Sequence, residues 1–193
     1  MADMIRDGGG RGYLAKINKD NQLITRATAI AQHTVSAIDG NYYEIYTGQV
    51  TLTTAGEVGV IYMAPTEADR IFIVDKVFIE TWASTGGSGL GTYKYYKNPT
   101  VTGGSTIVPV NSNFGTVDDF DGTALKSLTT MTGGTVWWLG GLSASTSLVI
   151  DEEKFCLPNG YGFGVSITAP AGNSSMVVNI NIAGYYINPD LLE

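Results

Sequence analysis

The closing third of the chain carries its clearest pattern. Met176, Val178, Ile180 and Ile182 fall on one parity, and Val177, Asn179, Asn181 and Ala183 on the other. A period of two sets one row of side chains against a core and the other toward solvent or a neighbouring subunit. Residues 161–168 alternate as well, and Ala169-Pro170-Ala171-Gly172-Asn173 reads as the turn that joins the two strands. The pattern predicts an antiparallel β-sandwich.

Further strands are expected at residues 44–53, 59–63, 70–82, 91–97, 105–110, 124–128, 135–139 and 147–150. Residues 70–82 make a long one. Ile71, Ile73, Asp75, Val77 and Ile79 share a parity opposite to Phe72, Val74, Lys76, Phe78 and Glu80. Both rows are apolar at the start, which predicts a central strand that bends near Asp75-Lys76. Glycine and proline clusters punctuate the runs, among them Thr85-Gly86-Gly87-Ser88-Gly89, Asn98-Pro99, Thr132-Gly133-Gly134 and Pro158-Asn159-Gly160. Glycine supplies 25 of 193 residues, a share that suits many tight turns better than helices. Eight to ten short strands at this spacing fit a double-sheet jelly roll; an immunoglobulin-like sandwich needs fewer. No fixed-period repeat points to a solenoid or propeller.

The first part of the chain reads differently. Asp7-Gly8-Gly9-Gly10-Arg11-Gly12 is too glycine-rich for a regular element, and residues 28–37 fit a short extended piece or a weak helix. Residues 1–44 are therefore expected to form an extended N-terminal arm with too few apolar residues for its own core, and residues 45–193 a jelly-roll domain. Charge divides the same way. Residues 1–26 carry five basic and three acidic side chains, a net +2, whereas the rest carry six basic and fifteen acidic, a net −9. An acidic body disfavours nucleic acid, and a basic arm suits an acidic neighbour such as another copy of the chain. No stretch has the ~20 apolar residues of a membrane helix. The start of the chain has no apolar run of the signal-peptide kind, so a soluble protein is expected. One cysteine, Cys156, excludes an internal disulfide and a cysteine-built metal site.

Little in the sequence points to catalysis. His33 is the single histidine and lies in the arm, so a nucleophile–histidine pair with Cys156 would draw on the least anchored part of the chain. The carboxylates of Asp118-Asp119-Phe120-Asp121-Gly122 and Asp151-Glu152-Glu153 read as solvated acidic loops. A calcium-assisted turn at Asp118, Asp119 and Asp121 and a paired-carboxylate hydrolase are the alternatives. The glycine clusters lack the spacing of phosphate loops. Trp137-Trp138 in a strand would send its indoles to opposite faces, one to the core and one to the surface. No catalytic, metal or cofactor residue is therefore assigned, and the function is sought in surfaces.

Several segments resemble the small virion proteins of tailed bacteriophages. They are the glycine-bearing start, Ala15-Lys16-Ile17-Asn18-Lys19-Asp20-Asn21-Gln22-Leu23, Tyr46-Thr47-Gly48 leading into the sandwich, Lys97-Asn98-Pro99-Thr100-Val101-Thr102-Gly103-Gly104, and the ending through Tyr185-Tyr186. The resemblance implies a structural subunit of the particle, of the homotrimeric capsid-decorating (cement) type. It implies contact with itself and, through the arm, with a major capsid or other virion protein, and a place in the virion after assembly in the host cytoplasm. A tail or adaptor/fibre component is the alternative within that class. Outside it stands a glycan-binding module that uses Trp82, Tyr95, Tyr96 or Trp138.

Overall fold

The computed structural model describes residues 5–6, 14–17, 23–24, 32–53, 56–85, 90–116, 118–143, 147–150, 155–172 and 175–188. The chain divides into two units, Met1–Ala31 and Gln32–Glu193. In the first, β1 (Ile5–Arg6), β2 (Leu14–Ile17) and β3 (Leu23–Ile24) pair antiparallel in that order. These short strands lie within the segment expected to be an extended arm. The second unit begins at Gln32, ahead of the expected boundary at residue 45.

That unit opens with helix α1 (Gln32–Ile38), which realises one of the two readings of residues 28–37. Gly40 ends it at φ +76°, and the Asn41 N–H donates back to the Ser36 carbonyl at 2.7 Å. A left-handed residue just past a helix satisfies its last carbonyls this way, and glycine adopts that conformation without strain. The strands follow in order: β4 (Tyr42–Tyr46), β5 (Val50–Leu52), β6 (Glu57–Pro65), β7 (Ile71–Thr85), β8 (Gly91–Lys97), β9 (Thr100–Thr102), β10 (Ser105–Thr106), β11 (Val110–Asn111), β12 (Gly122–Lys126), β13 (Thr130–Thr132), β14 (Thr135–Leu142), β15 (Ser147–Ile150), β16 (Phe155–Leu157), β17 (Phe163–Thr168) and β18 (Ser175–Ile187).

They build two antiparallel sheets packed face to face, the sandwich that the alternation predicts. One sheet runs β10-β12-β6-β17-β8-β14. The other runs β11-β4-β18-β7-β15, with β5 also on β18 and β16 also on β7. The chain crosses between the sheets repeatedly, and the last two strands enter the middle of each: β17 between β6 and β8, β18 between β4 and β7. One apolar cluster fills the space between the sheets. Met176, Val178, Ile180 and Ile182 reach 0% exposure there, and burying side chains of this size is worth about 1.5–3 kcal/mol each.

The expected bend in β7 is a bulge. Ala183 pairs with Lys76 but Gly184 with Val74, so Asp75 has no partner in the ladder. The extra residue exchanges the two rows. Phe72 and Val74 face the core before it, and Val77, Ile79 and Thr81 face it afterwards. This explains why the core-facing row of β7 is even-numbered before Asp75 and odd-numbered after it.

Two expected strands divide. Residues 44–53 split into β4 and β5 around Gly48, at φ +63°. There the Thr47 hydroxyl accepts the Ile180 N–H at 2.9 Å and its carbonyl accepts Lys126 Nζ at 2.7 Å. Residues 105–110 split into β10 and β11, which belong to different sheets; Pro109 between them has no N–H to give to a ladder. The β9–β13 ribbon is an addition. It seats Met131 over Gly59 and Gly164, where an added Cβ would lie 2.9 Å from Met131 Cβ and 2.5 Å from its Sδ, respectively.

Candidate interaction surface

Strand β14 forms the rim of its sheet. It pairs with β8, and among the described residues no strand covers its other side. Its sequence, TVWWLGGL, has no charged residue and no proline. Natural sheet edges are commonly blunted by lysine, proline or very short length, because unpaired N–H and C=O groups template pairing with another chain. Here a bulge is the only such device. It lies between Val136, opposite Tyr96, and Trp138, opposite Tyr95, so Trp137 is the additional residue.

The two tryptophans divide between core and surface as expected, but the bulge rather than strict alternation sets their directions. Both indoles reach inward-facing tyrosines of β8. Trp137 lies 5.8 Å from the Tyr95 ring and 5.1 Å from that of Phe155, while Trp138 Nε1 donates to the Tyr93 hydroxyl at 3.1 Å. Trp137 is partly buried against the core; Trp138 remains 39% exposed. Gly140 leaves room for the Tyr93 ring, whose atoms would stand 2.4 Å from an added Cβ. Val136 and Leu139 are exposed, Leu139 to 60%. The rim therefore presents aliphatic side chains, a fixed indole and a backbone edge that no strand among the described residues pairs with.

Between this rim and β16 opens an apolar slot of about 550 Å³. Trp137, Phe155, Leu157, Tyr161 and Phe163 line it, with exposed Lys97 and Cys156 beside them. The Phe155 ring meets that of Trp137 edge-on at 5.1 Å and that of Phe163 at a tilt at 4.8 Å, so the lining is a continuous aromatic wall.

On the outer face of the same sheet, Glu57 ties three strands. Its Oε1 accepts the Tyr96 hydroxyl and the Ser166 hydroxyl, the latter at 2.6 Å, and its Oε2 accepts the Lys94 ammonium. Burial pushes the Glu57 carboxyl up, but the hydrogen bonds from Lys94, Ser166 and Tyr96 outweigh it and leave it below its usual value. The hydrogen bond to Glu57 raises Lys94, while burial, then Glu57, raises Tyr96. A carboxylate with three committed donors is a clamp rather than a proton acceptor for a substrate.

The acidic loop is anchored through its backbone. The Tyr43 hydroxyl donates to the Asp119 carbonyl at 3.2 Å and the Tyr186 hydroxyl to that of Asp121 at 2.5 Å; between them, Phe120 packs against Tyr43, Phe72 and Tyr186. Gly122 permits close approach to the Ala64 carbonyl, which would stand 2.6 Å from an added Cβ. The Asp-x-Asp-Gly pattern is thus accounted for by an aromatic anchor. Among the described residues no three His, Cys, Asp or Glu side chains gather in a way that would hold a metal.

Of the other singled-out residues, His33 lies on α1, Cys156 is exposed on β16, and Asp151-Glu152-Glu153 lie outside the described residues. Tyr95 and Tyr96 are not loop aromatics. They lie on β8, Tyr95 at 1% exposure in the core and Tyr96 bound to Glu57. Trp82 and Trp138 are exposed but belong to different sheets. The four therefore do not assemble one stacking platform. The Glu57 clamp and the β14 rim are sites that pattern reading passes over. Only the absence of charge from Thr135 to Leu142 marks the rim in the sequence. The chain matches no protein-family model, and no curated protein matches it either.

Proposed function

We propose that this protein is a structural subunit of a bacteriophage particle, a jelly-roll capsid-decorating (cement) protein that joins neighbouring subunits. The observation that carries the reading is the long, charge-free rim of β14, which no strand covers among the described residues, a surface suited to pairing with another chain. The jelly-roll assignment is supported by the strand order. The sets β4-β18-β7-β15 and β6-β17-β8-β14 face each other, and the chain alternates between them in the manner of two interlocked Greek keys. A rim that meets a different patch on the next copy closes into a ring when the rotation permits, and the homotrimer is the form proposed. The basic N-terminal segment, within residues 1–44, would reach the acidic surface of a neighbouring copy or a capsid protein.

The test is the composition of purified particles. Mass spectrometry and gel densitometry should find this chain in them at a high, fixed copy number. Absence from the particles would refute the proposal, and a few copies at one vertex would replace it by a tail or adaptor role.

A further inference from the structure

Three departures from regular strand geometry meet at the slot beside β14. The bulge of β14 supplies Trp137 to it as the additional residue. Asn98, directly after β8, takes a left-handed φ of +52°, a conformation uncommon outside glycine. There the Asn98 N–H donates to the Gly162 carbonyl at 2.8 Å, and Asn98 Oδ1 accepts the Gly162 N–H at 2.8 Å. The turn before Gly162 is closed by the Tyr161 N–H on the Pro158 carbonyl at 3.0 Å, with Gly160 at φ +76°. Bulges and left-handed residues re-aim side chains at a cost in backbone energy, and they gather where a fold shapes a site. Here they fix the walls of one aromatic cleft.

A charge stands in the same cleft. Lys97 continues the inward row of β8 after the buried Tyr93 and Tyr95, and it lies opposite Phe163 in the β17 ladder. It is the single charged side chain among the described residues that line the cleft, and no described carboxylate pairs with it. Trp137, Phe155, Tyr161 and Phe163 supply flat apolar surface around it. A volume of about 550 Å³ falls in the range of small-molecule sites, which join apolar walls to a few polar anchors.

We propose that this cleft binds a small organic acid with a flat apolar body, an aromatic carboxylate being the matching class. Its ring would cover the aromatic walls, and its carboxylate would accept from the Lys97 ammonium. Lys97 repels a cationic ligand, and a neutral ring leaves the ammonium without a counter-charge. The site is separate from the β14 backbone edge and does not depend on the particle role.

The test titrates the full chain with probes that share one ring system: naphthoate, naphthalenemethanol and naphthylmethylammonium. Isothermal titration calorimetry should show a single saturable naphthoate site per chain, bound about tenfold or more tighter than the alcohol or the ammonium. Lys97→Met should erase that preference while the melt stays that of the parent, and Tyr161→Ala should weaken naphthoate binding. Saturating naphthoate should slow the labelling of Cys156 by iodoacetamide, because that exposed thiol borders the cleft. Phe114→Ala, at a side chain 95% exposed outside the cleft, is the control and should change nothing. Absence of saturable naphthoate binding, or an unprotected Cys156, would overturn the proposal. So would equal affinity for all the probes, or a loss in Phe114→Ala as large as that in Lys97→Met, since either means adsorption to apolar surface at large.

Discussion

Glu57 connects β6, β8 and β17 through one side chain that is about one-third exposed. Glu57→Ala removes the acceptor of the buried Ser166 hydroxyl and of Tyr96, and should cost about 1–3 kcal/mol in urea unfolding. Glu57→Gln keeps one acceptor and should cost less. Because the folded carboxyl lies below its ordinary value near 4.5, its contribution is present above that value and lost as pH falls through the folded one. The gap between parent and Glu57→Gln should therefore be flat from about pH 5 upward and close at lower pH. Gly184 is a steric case. An added Cβ would stand 2.3 Å from the Ile73 carbonyl, which is backbone in the neighbouring strand. Gly184→Ala should destabilise by about 1–3 kcal/mol or more, read as a lowered thermal midpoint, because the bulge must open to admit a methyl group.

At the scale of elements, alternation made the interior legible. The β18 pattern gave both its span and its buried row, and residues 91–97 and 147–150 match β8 and β15. What escaped were short elements whose partners lie far away in sequence. β9, β13 and β16 have three residues each and no period to detect. The Trp137 bulge inverts an orientation that strict alternation would assign, and no local signal marks it. The rim itself makes a prediction. Leu139→Lys places a charge on the exposed aliphatic row and should leave the melt unchanged while it lowers self-association in analytical ultracentrifugation. Deletion of residues 2–31 should leave a cooperative transition, since Gln32–Glu193 is a compact unit. Extending the deletion to residue 40 should lower the midpoint, because Asn111 and Asn113 then lose the Gly40 and Ile38 carbonyls, each accepting at 2.7 Å. Circular dichroism melts of the two truncations check both statements.

At the scale of the molecule, tyrosines set an alkaline limit. Burial first, then the charges of Asp75 on Tyr42 and of Glu67 and Asp121 on Tyr186, hold these two hydroxyls well above the ordinary tyrosine value; burial also raises Tyr43, Tyr62 and Tyr96. Groups raised on folding contribute stability below their unfolded value, and the contribution disappears as pH rises toward the folded one. Stability should hold to about pH 10 and fall above it. Tyrosinate absorbance should then appear together with the loss of β-sheet signal; its appearance in an intact sandwich would contradict the burial argument.

The central seats of β17 and β18 also govern when a newly made chain can become a sandwich. Ribosomes deliver residues 163–187 after every other strand of the two sheets, yet each sheet is split into separate halves until they arrive. β4 and β6 leave the ribosome early and wait, facing water, for partners more than a hundred residues downstream. Pairings this distant in sequence form slowly, and waiting edges are where chains adhere to one another. Folding is thus held back until β17 and β18 have both been made, and a message broken before β17 yields four open half-sheets rather than a smaller working protein.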